Sequence, residues 1–323
     1  MCLPKGGGKQ NLPPLDFDLL LGFFPGWKTG SGTIVNEFEE ISGIYEALWQ
    51  SALAGFERGE FQNDPHLSAR ANDARRCVTL VLRPAQTVRA QMRAFVDRLA
   101  AACPGQYYYR PEEFHVTVMS IISGSEHWRQ EMRQLALCRA IIGEVLSRCR
   151  AFTIGFRGVT ASPGCVMVQG FPAGGGLVRI RDELRAGFAR EGIGNLLDRR
   201  YKIRTAHATV LRFSQPVADG NRLISVLKEG RQIDFGSSET QSFELIWGDW
   251  YASAGSVRTL QQYRLATPPR IISKPGFKAR VRCENIYFKI LLVLASPFCG
   301  QPSGQDRHLG SQAVKDEGVK SAF

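Results

Sequence analysis

Two stretches of this chain repeat one pattern: Phe114-His115-Val116-Thr117-Val118 and Ala206-His207-Ala208-Thr209-Val210, 92 residues apart. Both are rich in β-branched and apolar residues, and both set a threonine two residues after a histidine. On a strand, side chains alternate between faces. His115 and Thr117 therefore share one face while Val116 and Val118 point the other way, and His207 and Thr209 stand likewise against Ala208 and Val210. Each stretch predicts a half-buried strand that presents an imidazole and a hydroxyl side by side, with an apolar anchor behind them. The chain has only five histidines, so two matched motifs are a strong signal where one would be weak.

Outward from these motifs, apolar runs of two periods alternate. Cys77 to Leu82 reads as a strand closed by Pro84. Val88, Met92, Phe95, Val96 and Leu99 then share one helical face before Pro104-Gly105. Leu135, Ile142, Val145 and Leu146 mark a second helix within Met132 to Cys149. Phe152, Ile154 and Phe156 alternate as a strand, and Cys165 to Val168 forms another after the Pro163-Gly164 turn. Leu177, Ile180, Leu184 and Phe188 mark a third helix, and Leu223 to Leu227 a short one. Phe243 to Trp247 and Leu260 to Leu265 are late strands. Mixed helices and strands imply an α/β or α+β sandwich, here taken as α+β. Upstream, Ile34, Phe38, Ile41, Tyr45, Leu48 and Ala52 outline a helix that must bury its apolar face on the downstream chain. The expected organisation is an N-terminal extension with one helix (1–75), a central domain (76–267) and a basic tail (268–323).

Charge is concentrated. Of the net +11, the stretches Arg179 to Arg212 and Pro268 to Phe323 each hold nine Lys or Arg against four Asp or Glu. That balance favours phosphate-bearing partners. With 44% apolar and 22% charged residues, wholesale disorder is excluded. No apolar stretch approaches the ~18–20 residues of a membrane span. The longest, Ile286 to Cys299, is short and carries Lys289. Met1 to Asn11 lacks the apolar run of a secretory signal. The eight cysteines contain no Cys-x-x-Cys, so reduced thiols and a cytoplasmic location are expected, with no zinc site. Gly6-Gly7-Gly8-Lys9 lacks the spacing of a phosphate-binding loop.

Two imidazoles and two hydroxyls suit phosphodiester cleavage. One ring accepts a proton from the attacking oxygen and the other gives one to the leaving oxygen. Thr117 and Thr209 would supply donors to the phosphoryl oxygens. The plainer alternative makes each histidine a half-buried strand residue bonded to its own threonine. The matched pair favours the catalytic reading. Arg212, Arg204 and Lys202 are further phosphate candidates; Tyr109, Phe114, Trp250 and Tyr251 are candidates to stack a base. His127 reads as a surface residue.

The paired motifs, their spacing and the opening strand Cys77-Val78-Thr79-Leu80-Val81-Leu82-Arg83-Pro84 resemble the two-histidine (2H) phosphoesterase superfamily over about Arg76 to Ala266. That resemblance implies a bilobal fold: two pseudo-symmetric α/β lobes with antiparallel sheets around a central cleft, each lobe contributing one motif. It implies His115 and His207 as catalytic residues and Thr117, Thr209 and Arg212 as phosphate-binding ones. No metal or cofactor is expected. The expected substrate is a 2′,3′-cyclic phosphate or a related nucleotide or RNA-end phosphodiester, with a monomer and no membrane partner. A non-catalytic RNA- or nucleotide-binding protein using the same cleft is the alternative, and a scaffold derived from such an enzyme is a third reading.

Overall fold

The computed structural model describes residues 35–199 and 201–265, all within one compact unit. The lead-in before residue 35 and the basic tail with its apolar patch lie outside the described residues.

Helix α1 (Val35–Glu57) opens the chain. Its buried face runs through Ile41, Tyr45, Trp49, Ala52 and Phe56. That stripe keeps the 3.6-residue period. Trp49 stands in it where the sequence pattern suggested Leu48, and Phe38 remains 44% exposed. Strand β1 (Arg76–Leu82) follows, then α2 (Gln86–Ala102), which buries the five side chains that its periodicity marks. Next come β2 (Tyr107–Tyr108), β3 (Val116–Ser125) and α3 (Leu135–Ser147). A hairpin of β4 (Phe152–Ser162) and β5 (Cys165–Pro172) turns at Pro163-Gly164. Helix α4 (Gly176–Arg190), β6 (Ala208–Arg212) and α5 (Gly220–Gly230) lead to β7 (Asp234–Thr240), β8 (Ser242–Gly248) and β9 (Arg258–Arg264).

The strands form one sheet in the order β7-β4-β5-β6-β3-β1-β8-β9, with β2 added on β6, and every pairing is antiparallel. The two expected halves are legible as a repeated order, β1-α2-β3-α3 and β5-α4-β6-α5. They are not two lobes with separate sheets. Instead β3 pairs directly with β6 through Val116 and Ala208, so the halves share one sheet. The physical reason is burial: Val116, Val118, Ala208 and Val210 are all fully buried, and one apolar core runs beneath both halves. Parting them would expose that surface to water. No described helix is long and apolar enough to cross a membrane.

Candidate active site

The join between β3 and β6 makes the site. His115 immediately precedes β3 and His207 immediately precedes β6, so each leaves its strand at the same end of its motif. Burial alternates along both: Phe114, Val116 and Val118 face the core, as do Ala206, Ala208 and Val210. Extending the Val116–Ala208 pair by one residue in each direction sets His115 opposite Thr209 and Thr117 opposite His207. His115, Thr117, His207 and Thr209 thus fall on one face of the joined strands. All four line one cavity of about 120 Å³ together with Arg212 and Tyr109.

Each ring is held through Nδ1. That of His115 donates to the Glu113 carbonyl oxygen at 2.7 Å. Since a carbonyl only accepts, the proton of the neutral ring is on Nδ1 and Nε2 carries the lone pair. For His207, Nδ1 lies 2.8 Å from the Thr205 hydroxyl. Neither bond is to the threonine of the same motif. Burial pushes both imidazoles down to about 4; the Glu113 carbonyl opposes this for His115, while Arg83 and Arg212 add to it. For His207 the further causes are Arg181, the His115 ring and Arg212, all of which disfavour a second positive charge. Both rings are therefore neutral at pH 7, and a phosphate anion beside them would raise them.

Arg212 donates from Nε to the Tyr109 hydroxyl at 3.0 Å and lies over the Tyr251 ring. Burial works against its charge, but Tyr109 and Cys165 hold it firmly protonated. Part of the cavity wall comes from the turn after β8, through Asp249, Trp250 and Ala252. There Asp249 accepts from the Tyr251 and Ser253 amides and from the Ser253 hydroxyl, and it pairs with Arg70. Although burial opposes it, these bonds keep its carboxyl below the usual range. Trp250 lines the cavity and lies so close to Gly124 that a Cβ there would sit 2.7 Å from the indole. Asp198 and Ala252 are the non-glycine residues with positive φ among the described residues, and both line the cavity. Backbone strain gathers where the side chains converge.

The other sequence candidates part from the site. Phe114 is core, and Tyr251 is buried beneath the wall. Lys202 and His127 are exposed, and Arg204 turns to Glu40 on α1. Tyr109 and Trp250 do line the cavity. Among the described residues no group of three or more His, Cys, Asp or Glu is placed to hold a metal ion.

Sequence reasoning missed Arg181. Only 2% exposed, it donates to four carbonyl oxygens: Val118 (3.0 Å) and Thr117 (2.8 Å) on β3, and Arg204 (3.0 Å) and Thr205 (2.8 Å) ahead of β6. The ladder between β3 and β6 stops after one pair, and this guanidinium satisfies carbonyls that the ladder leaves over. A signal was present: position 181 falls four residues after Leu177 and three before Leu184, inside the apolar stripe of α4. A charged residue there must be buried with partners.

No protein-family model matches the chain, and no curated protein does. Among solved structures, TT0787 of Thermus thermophilus is similar at 16% identity, covering 58% of this chain and 97% of that one with a TM-score of 0.46. A structure described as a phosphoesterase is similar at 15% identity, covering 59% and 99%, TM-score 0.42. LigT of E. coli complexed with 3′-AMP is similar at 14% identity, covering 59% and 99%, TM-score 0.40. The chemistry of this chain stands on its own residues.

Proposed function

We propose that this protein is a phosphodiesterase of the 2H type. It hydrolyses a 2′,3′-cyclic phosphate on a nucleotide or RNA end without a metal. The observation that carries this reading is the convergence of His115, Thr117, His207, Thr209 and Arg212 on one cavity. Two imidazoles, two hydroxyl donors and a fixed cation suit an anionic phosphodiester whose charge grows as a fifth oxygen adds.

The two rings take different roles. The Glu113 carbonyl on Nδ1 supports an imidazolium at His115, whereas Nδ1 of His207 meets only the Thr205 hydroxyl, a weaker acceptor. His207 is accordingly the base, accepting a proton from water as its oxygen bonds to phosphorus. The bond from phosphorus to the 2′ or 3′ oxygen breaks, and His115, which takes up a proton from solvent on Nε2 when the anionic substrate binds, gives that proton to the leaving oxygen. A nucleoside monophosphate results. Thr117 and Thr209 donate to the non-bridging oxygens, and Arg212 offsets their charge.

The test is incubation with a panel of 2′,3′-cyclic nucleotides and cyclic-ended RNA in EDTA, with monophosphate as the readout. Turnover that His115→Ala and His207→Ala each abolish is the expected result. Salt-sensitive RNA binding with no product would instead favour a binding protein that uses the same cleft.

A further inference from the structure

Helix α1 lies outside the two repeated halves, yet one of its side chains reaches the approach to the second histidine. The register of β5 on β6 runs from Cys165–Arg212 to Val168–Ala208 and then ends. One step further along the alternation it would set Gly170 opposite Ala206. In place of that pair stands the Tyr45 hydroxyl. It donates to the Gly170 carbonyl (3.2 Å) and accepts from the amides of Gly170 (3.2 Å) and Ala206 (3.1 Å). Glycine is required at 170, because a Cβ there would lie 2.1 Å from the Ala206 carbonyl oxygen.

The segment 204–206 is therefore held by side chains on both flanks. Arg181 takes its carbonyls on the β3 side, and Tyr45 takes its last amide on the β5 side. The next residue is His207. The Thr205 hydroxyl, one residue before that amide, holds the His207 ring at 2.8 Å. Tyr45 itself is 1% exposed, stands edge-on to Phe171 at 5.5 Å, and is anchored by Thr160, whose hydroxyl donates to its carbonyl at 2.9 Å. Glu40, on the same helix, pairs with Arg204 at 3.5 Å.

We propose that Tyr45 is a positioning residue for His207: its phenol is built into the gap of the β5/β6 ladder and sets where the second imidazole stands. The N-terminal helix is then part of the site, and the two repeated halves alone do not complete it. What concerns turnover rests on the function proposed above; what concerns the ring does not.

The test uses the full chain. Tyr45→Phe keeps the ring packing and removes only the hydroxyl. The expected outcome is a kcat at least tenfold lower with KM within twofold, and displaced nitrogen resonances of His207 with those of His115 unmoved. Phe56→Leu loosens the same helix eleven residues from Tyr45, where Phe56 packs on Phe61 and Phe213, and should lower Tm while leaving kcat and the His207 resonances as in the parent. Should Tyr45→Phe fail to fold, 3-fluorotyrosine at position 45 alters the phenol's hydrogen bonding at constant packing, and the His207 resonances should still move. Unmoved His207 resonances in a folded Tyr45→Phe or fluorotyrosine protein would overturn the proposal. So would a loss of kcat equal to that of Phe56→Leu. If the parent turns over no cyclic phosphate, the functional reading fails, and the resonances alone still decide the role of Tyr45.

Discussion

The guanidinium of Arg181 lies 2.8 Å from the carbonyl oxygen of Thr117, between the two strands that carry the histidine motifs. One buried cation thus ties the backbone under the first motif to the chain that enters the second. Arg181→Met should leave four carbonyls without a donor and destabilise the fold by roughly 3–5 kcal/mol, since each buried unsatisfied group costs ~1–3 kcal/mol and such costs are not additive. Urea unfolding measures this. A loss under about 1 kcal/mol would mean that water or a rearranged ladder replaces the guanidinium.

The two imidazoles should separate on leaving-group strength. With a 2′,3′-cyclic nucleotide, removing either ring should cost on the order of 10²–10⁴ in kcat. A p-nitrophenyl phosphodiester needs no acid to release its phenolate. With it, His115→Ala should regain most of its activity while His207→Ala stays impaired. Equal rescue of both variants would reverse or remove the assignment.

Acid should weaken the fold through these same rings. Burial holds His115 and His207 at about 4, against about 6.5 in an unfolded chain. Between those values the unfolded state binds protons that the folded state does not. Stability is therefore fully present above about pH 6.5 and falls as pH drops toward 4. Urea midpoints at pH 7.5, 5.5 and 4.5 should show this slope, and it should flatten in a His115→Gln/His207→Gln protein. Sulfate stays dianionic across this range and favours protonated rings. Its affinity should rise at least tenfold from pH 7.5 to pH 5.5, as calorimetric titration would show.

Gly124 should control the cavity wall. A methyl at this position meets the Trp250 indole at 2.7 Å, so the ring must shift. Gly124→Ala is expected to raise KM for a nucleotide substrate several-fold and to leave kcat within twofold. A parallel fall in kcat would place the indole nearer the reacting phosphorus than the wall.

Arg212 should act on binding more than on folding. Exchange for methionine removes a charge-assisted bond worth ~1.5–3 kcal/mol, or about 10–100-fold in sulfate affinity. Tyr109→Phe, which releases only the Nε contact, should cost less. Equal losses would make the tyrosine, rather than the cation, the group that meets the anion.

Much of this arrangement was legible before any tertiary structure. The stripes of α2 and α4 carry their core positions in the 3.6-residue period, and β4, β5, β8 and β9 show themselves by apolar runs between turns. Strand β7 stayed hidden because its buried positions include Ser238 and Thr240, which carry no hydrophobic signal. Strand β2 is two tyrosines long, too short for any period to register.

Alternation along the chain by itself determined which residues of each motif share a face, because a strand's side chains point to opposite sides whatever it pairs with. Composition likewise determined that the chain can fill a core. Only the tertiary structure decided that the motif strands pair with each other, which brings two ordinary His-x-Thr segments to one cavity. It also decided that Arg181 and Tyr45 hold the approach to His207. Register between distant strands depends on which backbone donors and acceptors remain unpaired once everything else has packed, and no local pattern records that.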